Sequence, residues 1–144
     1  MRTKLLTLLF LIGILSGMNA QDNVDENGVI GFACSFAGQP TKTVKKVATK
    51  LNNKKYNLIA KLLTSNNNAE RYLAVISLEQ LAKLKKYNLN ETEKNLISEI
   101  KQSGELVSIC AGCTNFEKVS LKELLGKKKK KFARNWLNRN IKAE

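Results

Sequence analysis

Apolar positions recur three and four residues apart along most of this chain, the spacing of one buried helical stripe. Val44, Val47, Ala48 and Leu51 make the first stripe, opened by Pro40-Thr41, backed by lysines and ended by Asn52-Asn53. Asn57 to Leu81 reads as two apolar-faced helices joined by an Asn-rich turn. They are expected at about 55–64 and 69–86, with Asn68 as N-cap of the second. Asn90-x-x-Glu93 makes a capping box for a further helix carrying Leu96, Ile97 and Ile100, and Gly104 stops it. Asn90-Glu91-Thr92 is also a glycosylation sequon, but the cap accounts for the same letters. Ser120-x-x-Glu123 starts a short helix that Gly126 closes.

Sliding the chain by 38 residues lays Asn57-Leu58-Ile59 on Asn95-Leu96-Ile97 and Leu51-Asn52 on Leu89-Asn90, with seven identities across residues 51–79. A helix pair with one stripe per helix cannot cover itself and must stack on a neighbour. The segment AERYLAVISLEQL resembles the second helix of a HEAT-like repeat, and the resemblance spans roughly residues 42–125. It implies an all-α fold, a short right-handed stack of helical hairpins (an α-α superhelix) with a basic C-terminal helix, and nothing catalytic. The expected core is Val47, Leu51, Leu58, Ile59, Leu62, Leu73, Val75, Ile76, Leu81, Leu96, Ile97, Ile100, Val107 and Ile109. One stretch stands apart. GFACSFAG (31–38) is small and apolar, with Phe32, Cys34 and Phe36 alternating, and reads either as a short strand or as a buried helix.

The ends of the chain are different in kind. Arg2 and Lys4 precede an apolar run from Leu5 to Ile14, and Met18-Asn19-Ala20 supplies a small residue for cleavage. Residues 1–20 therefore read as a signal peptide, the run being shorter than the roughly 20 residues a bilayer requires. The expected product is exported, periplasmic or secreted, and not transmembrane once the signal is removed. Residues 21–30 read as a flexible polar leader, 31–126 as the folded domain and 127–144 as a basic tail.

Charge and composition narrow the chemistry. The net charge is +13, with 25 Lys and Arg against 12 Asp and Glu. With no histidine, Ser-His-Asp and Cys-His catalysis and His-ligated metal are excluded. No catalytic residue and no cofactor is implied, and the enzyme question stays open with a binding role preferred. Cys34, Cys110 and Cys113 are the sharpest chemical feature. Cys110-Ala111-Gly112-Cys113 has the spacing of a thiol-disulfide centre, which needs a thiolate activated at a helix N-terminus. Zinc would need a fourth ligand that the chain does not name. The third reading is one structural disulfide plus a buried thiol.

The pairing is contested on physical grounds. Two repeats apart, Cys34 and Cys110 would stand roughly 16–20 Å from each other in a helical stack, and a disulfide allows Cα atoms at most about 7 Å apart. Loop entropy favours the long link, at about 4–5 kcal/mol against about 2 for the short CxxC loop. If it forms, GFACSFAG must fold back on the second repeat.

Lys127, Lys128, Lys129, Lys130, Lys131, Arg134, Arg139 and Lys142 crowd the tail, with Phe132 and Trp136 four residues apart. Such a helix can lie on an anionic membrane with Trp136 at the interface, or grip phosphates or sulfated glycans. Alternatively it docks Trp136 on the core and solvates its lysines. Two functions follow as expectations: an exported, non-catalytic helical-repeat module binding a protein or an anionic surface (lipid or polysaccharide), or a small thiol-disulfide protein. Sequence-specific nucleic-acid binding is not expected.

Overall fold

In the computed structural model, one helix gathers the others around it. The structure describes residues 27–34, 38–112, 115–126 and 131–142. The signal peptide, residues 21–26 of the leader, Cys113 and Lys127 to Lys130 lie outside them. In chain order the elements are β1 (Val29–Ile30), α1 (Lys42–Asn52), α2 (Tyr56–Ala60) running into a 3-10 turn (Lys61–Thr64), α3 (Asn68–Lys83), α4 (Glu91–Gln102), β2 (Leu106–Ala111), β3 (Asn115–Ser120), α5 (Leu121–Leu124) and α6 (Arg134–Asn140). The central helix is α3, which packs on α1, α2, the 3-10 turn, α4 and β2. Ala69, Tyr72, Leu73, Ala74, Val75, Ser77, Leu78 and Leu81 are all buried on it. The unbroken buried run from Tyr72 to Val75 marks a helix covered by protein on more than one side.

The all-α stack of hairpins is corrected by a three-stranded sheet in the order β1-β2-β3. Strand β2 pairs with β3 antiparallel, Val107 opposite Val119 and Cys110 opposite Phe116. On its other edge β2 pairs with β1 in parallel, Val29 beside Ser108 and Ile30 beside Ile109. The 38-residue shift would place a second helix where this hairpin stands. The local pattern decides otherwise: Val107 and Ile109 alternate with Leu106 and Ser108, and Gly112 (φ +80°) lies between the two strands. Period two turns Val107, Ile109 and Val119 onto the helices, where they join the main core with Ile30. The flexible leader is corrected at the same point, since Val29 and Ile30 are 2% and 0% exposed.

Local signals are used closely. The Asn90 side chain accepts from the Glu93 backbone N–H at 2.9 Å and the Glu93 carboxylate accepts from the Asn90 N–H at 3.0 Å. Glu93 also accepts from the Tyr87 hydroxyl at 2.7 Å, and burial together with that carboxylate pushes the phenol up to about 12. The cap of α3 is Asn67 rather than Asn68; its Oδ1 accepts from the Ala69 and Glu70 N–H groups. Asn68 instead donates across to the Leu106 carbonyl at 3.0 Å, tying α3 to the sheet.

Of the expected core, Leu58 is 40% exposed, and Leu62, Ile76 and Leu96 are half-buried. Ile59 faces inward as expected, but the buried stripe runs on from it to Leu63, leaving Leu58 and Leu62 at its border. Leu63→Ala is therefore expected to cost about 2–5 kcal/mol, as buried Leu truncations do, and Leu58→Ala under about 1. Equal losses in urea unfolding would refute this assignment of faces.

Glu70 joins α1 to α3 by accepting from Lys46 Nζ at 2.6 Å and from the Ser65 hydroxyl at 2.6 Å. Burial opposes its ionisation, but those two donors prevail and hold the carboxyl below its ordinary value. A depressed carboxyl adds stability above the unfolded-state pKa, and that stability is lost as pH falls through the folded one. Lys46 is 54% exposed, so screening keeps the effect small. Glu70→Gln should cost under about 1 kcal/mol at neutral pH, with the difference from the parent vanishing in acid. A gap that widens in acid would refute the ion-pair reading.

Candidate functional site

The cysteine question resolves in favour of the long link. Cys34 and Cys110 are joined, with Cα atoms 5.8 Å apart across 76 residues of sequence. The distance conflict disappears because the helical stack does. Parallel pairing of β1 with β2 folds the N-terminal segment back onto the hairpin, and Cys34 bridges to both Gln39 and Gly112 through backbone pairing. The turn after β1 is tight: a Cβ on Gly31 would lie 2.7 Å from the Cys34 Cβ. Only glycine fits there. Thr41 closes the same turn, its hydroxyl donating to the Val29 carbonyl at 2.9 Å. The bridge and Val29 form a second small apolar cluster apart from the main core.

The redox reading requires an activated thiolate at a helix N-terminus. Cys110 lies within strand β2 rather than at a helix N-terminus, is 1% exposed, and is bonded to a partner outside the CxxC. Thiol exchange needs both access and an activated thiolate. The zinc reading loses two of its three thiolates to the bridge. Cys34→Ser should destabilise the fold by about 4–5 kcal/mol, the value for closing a loop of this length. One thiol per chain should titrate in the native protein. Mass mapping of the unreduced protein should recover Cys34 joined to Cys110, and a Cys110–Cys113 link would overturn the pairing.

The basic tail divides into two kinds of residue. Phe132 and Trp136 face the protein, and Trp136 is 5% exposed. The Phe32 ring, from the segment just after β1, packs edge-on to Phe132 (centroids 5.0 Å apart) and tilted against Trp136 (5.2 Å). Ile141 and Ala133 are buried beside them. Trp136 is thus corrected from a surface-binding residue to a core residue, because the aromatic pair in the tail meets a third ring brought alongside by the fold-back. Lys131, Arg134, Arg139 and Lys142 remain exposed.

A second set of cations accompanies them. Helix α6 packs beside α1, whose outer side carries exposed Lys42, Lys45 and Lys46 and half-buried Lys50. Residues 27–69 hold seven lysines and not one acid, whereas residues 70–126 hold eight cations against eight acids. Residues 127–144 add eight cations against Glu144 alone. The whole excess of positive charge therefore belongs to two separate stretches, and α1 and α6 bring those stretches together. Within 70–126 the ion pairs Arg71–Glu105, Lys94–Glu91 and Lys101–Glu79 hold much of the balance locally. The lysines of α1 were legible in the sequence as a 43-residue stretch without an acid; what it does not reveal is their contact with the tail.

Comparison with family models, with curated proteins and with solved structures finds no match.

Proposed function

We propose that this protein is a non-catalytic binding module of an oxidising compartment outside the cytoplasm, and that it holds a polyanion against the basic face made by α1 and the C-terminal segment. The observation that carries this reading is the partition of charge: residues 70–126 are neutral, and the entire excess lies in two stretches whose helices pack side by side. Clustered cations of one sign raise the local concentration of an anionic partner and speed its capture. The buried disulfide and the signal-like N-terminus support an oxidising destination. Among the described residues no helix is long and apolar enough to cross a membrane.

The partner is a hydrophilic polyanion such as a sulfated or phosphorylated polysaccharide, in preference to a bilayer. Interfacial helices bury an apolar face among acyl chains. Here Phe132, Trp136 and Ile141 are already packed against the core, leaving polar groups to meet the partner.

The test is retention on immobilised heparin as salt is raised. Truncating the tail would also remove Trp136 from the core, so charge is neutralised at single positions outside the core instead. Arg134→Gln with Arg139→Gln, and separately Lys45→Gln with Lys50→Gln, are each expected to lower the salt needed for elution, and the four together more than either pair. The screening length of about 8 Å at physiological salt makes such contacts fade as salt rises. Retention unchanged in the quadruple variant would overturn the proposal. A blue shift of Trp136 fluorescence on anionic vesicles, with no heparin retention, would favour a membrane instead.

A further inference from the structure

The letters Lys-Lys-Tyr-Asn-Leu occur twice, at 54–58 and at 85–89. The first copy joins α1 to α2, and the second follows α3 on the way to α4. In both, the first lysine takes a left-handed backbone, with φ 54° at Lys54 and 57° at Lys85. Among the described residues no other non-glycine has a positive φ. The hydrogen bonds repeat as well. Lys54 N–H donates to the Leu51 carbonyl and Lys55 N–H to the Lys50 carbonyl, each at 2.9 Å. Lys85 N–H donates to the Ala82 carbonyl at 3.0 Å and Lys86 N–H to the Leu81 carbonyl at 2.9 Å. Each copy is thus the same Schellman turn at the end of a helix. Beyond it the copies part, for Tyr56 opens α2 whereas Tyr87 precedes the Asn90 cap.

The fold brings the two copies together. The Tyr56 and Tyr87 rings meet edge to face, with centroids 6.3 Å apart. Lys54 and Lys85 each stand two residues before one of these rings, and both are exposed. Asn57 and Asn88, one residue after the rings, are exposed too. The acids that follow are engaged: Glu93 accepts from the Tyr87 hydroxyl and the Asn90 N–H, and Glu91 pairs with Lys94. The backbone does not call for lysine at the left-handed position. Glycine or asparagine takes it with less strain, and Asn53 stands one residue short of the place where it would do so. Lysine is there in both copies, so the ammonium rather than the turn accounts for the letter.

We propose that the paired junctions form one bidentate site for an anionic sugar chain, Lys54 and Lys85 each meeting an anionic group and Asn57 and Asn88 the neighbouring hydroxyls. The inference rests on the polyanion reading for the class of partner, and it adds a site that fixes where the partner sits. Lys42, Lys46 and Lys50 stand four residues apart on α1, the spacing of one helical row. The helix carries that row about 15 Å to its end beside Lys54. A junction present twice matches a partner that repeats its own charged unit, and two joined contacts hold far more tightly than one.

The probe is a heparin hexasaccharide titrated by calorimetry, with elution from immobilised heparin as a second readout. Lys54→Gly with Lys85→Gly should weaken hexasaccharide binding about tenfold and elute at lower salt. Its urea midpoint should equal or exceed the parent's, since glycine takes the left-handed turn without strain. Each single change should weaken binding as well, and a loss confined to one of them would overturn the paired site. Lys118→Gln with Lys122→Gln removes the same charge from β3 and α5 and should leave affinity unchanged. An equal loss there would reduce the effect to net charge and overturn the proposal. So would unchanged binding in the double glycine variant, or a lowered urea midpoint with binding intact, the outcome of helix capping alone. Polyphosphate of equal charge binding as tightly as the hexasaccharide would overturn the assignment to sugar. The quadruple variant at α1 and α6 leaves both junctions in place. If it alone loses retention, the basic face stands and this site falls; if the glycine variant alone does, this site stands and the face falls.

Discussion

The joining of Cys34 to Cys110 is the constraint on which the arrangement of the remaining parts depends. Strand β1 has two residues, too few for a parallel ladder to hold by itself. The bridge anchors the segment that follows it, and Phe32 within that segment is the surface on which Phe132 and Trp136 rest. Without the fold-back, Phe132 and Trp136 would lose Phe32, the aromatic partner that helps α6 settle beside α1. A covalent link thus organises three weak pieces: a minimal strand, a tight turn and a seven-residue helix.

Two regimes of stabilisation meet in this chain. Around α3 the helices hold one another by ordinary apolar burial, with Leu73, Leu78 and Leu81 fully enclosed. On the other face of the sheet a small cluster of Val29, Cys34 and Cys110 is too small to do so and relies on the disulfide. The electrostatics follow the same division. Acids and cations alternate on α3, α4 and the hairpin, where ion pairs form, and the excess of cations belongs to the acid-free stretch that carries α1 and to the C-terminal stretch. Repulsion among those cations opposes their being brought together, and the packing of Phe132 and Trp136 on Phe32 opposes that repulsion.

The parts of the fold that were legible in the sequence are those whose cause is local. The capping box at Asn90 and Glu93, the cap at Ser120 and the stripe of α1 all lie within one or two helical turns, and each stands as the letters imply. The hairpin was also written locally, in the alternation of Val107 and Ile109, but the apparent 38-residue repeat argued for a helix over the same letters. Seven identities in a chain so rich in Leu, Lys and Asn weigh less than a change of period from 3.6 to two. What no local reading could supply is the meeting of distant residues. Phe32 with Trp136, and β1 with β2, depend on closing a loop of some 76 residues, and that closure is set by the whole fold. For the candidate face the chemistry was visible in the tail, while its second half on α1 lay in an acid-free stretch without any motif to mark it.

The bridge also alters how the chain carries mechanical load. Cys34 and Cys110 close a covalent ring that contains α1 to α4, while β1 enters it from one side and β3, α5 and α6 leave it on the other. Tension applied between the two ends of the described chain crosses from residue 34 to residue 110 through sulfur and bypasses everything between. Stretching can peel α6 from Phe32 and unzip the hairpin, but it cannot draw out the four helices of the ring. Tension entering through α6 would accordingly be borne by the weakest elements of the fold, with the core around α3 left under no tension.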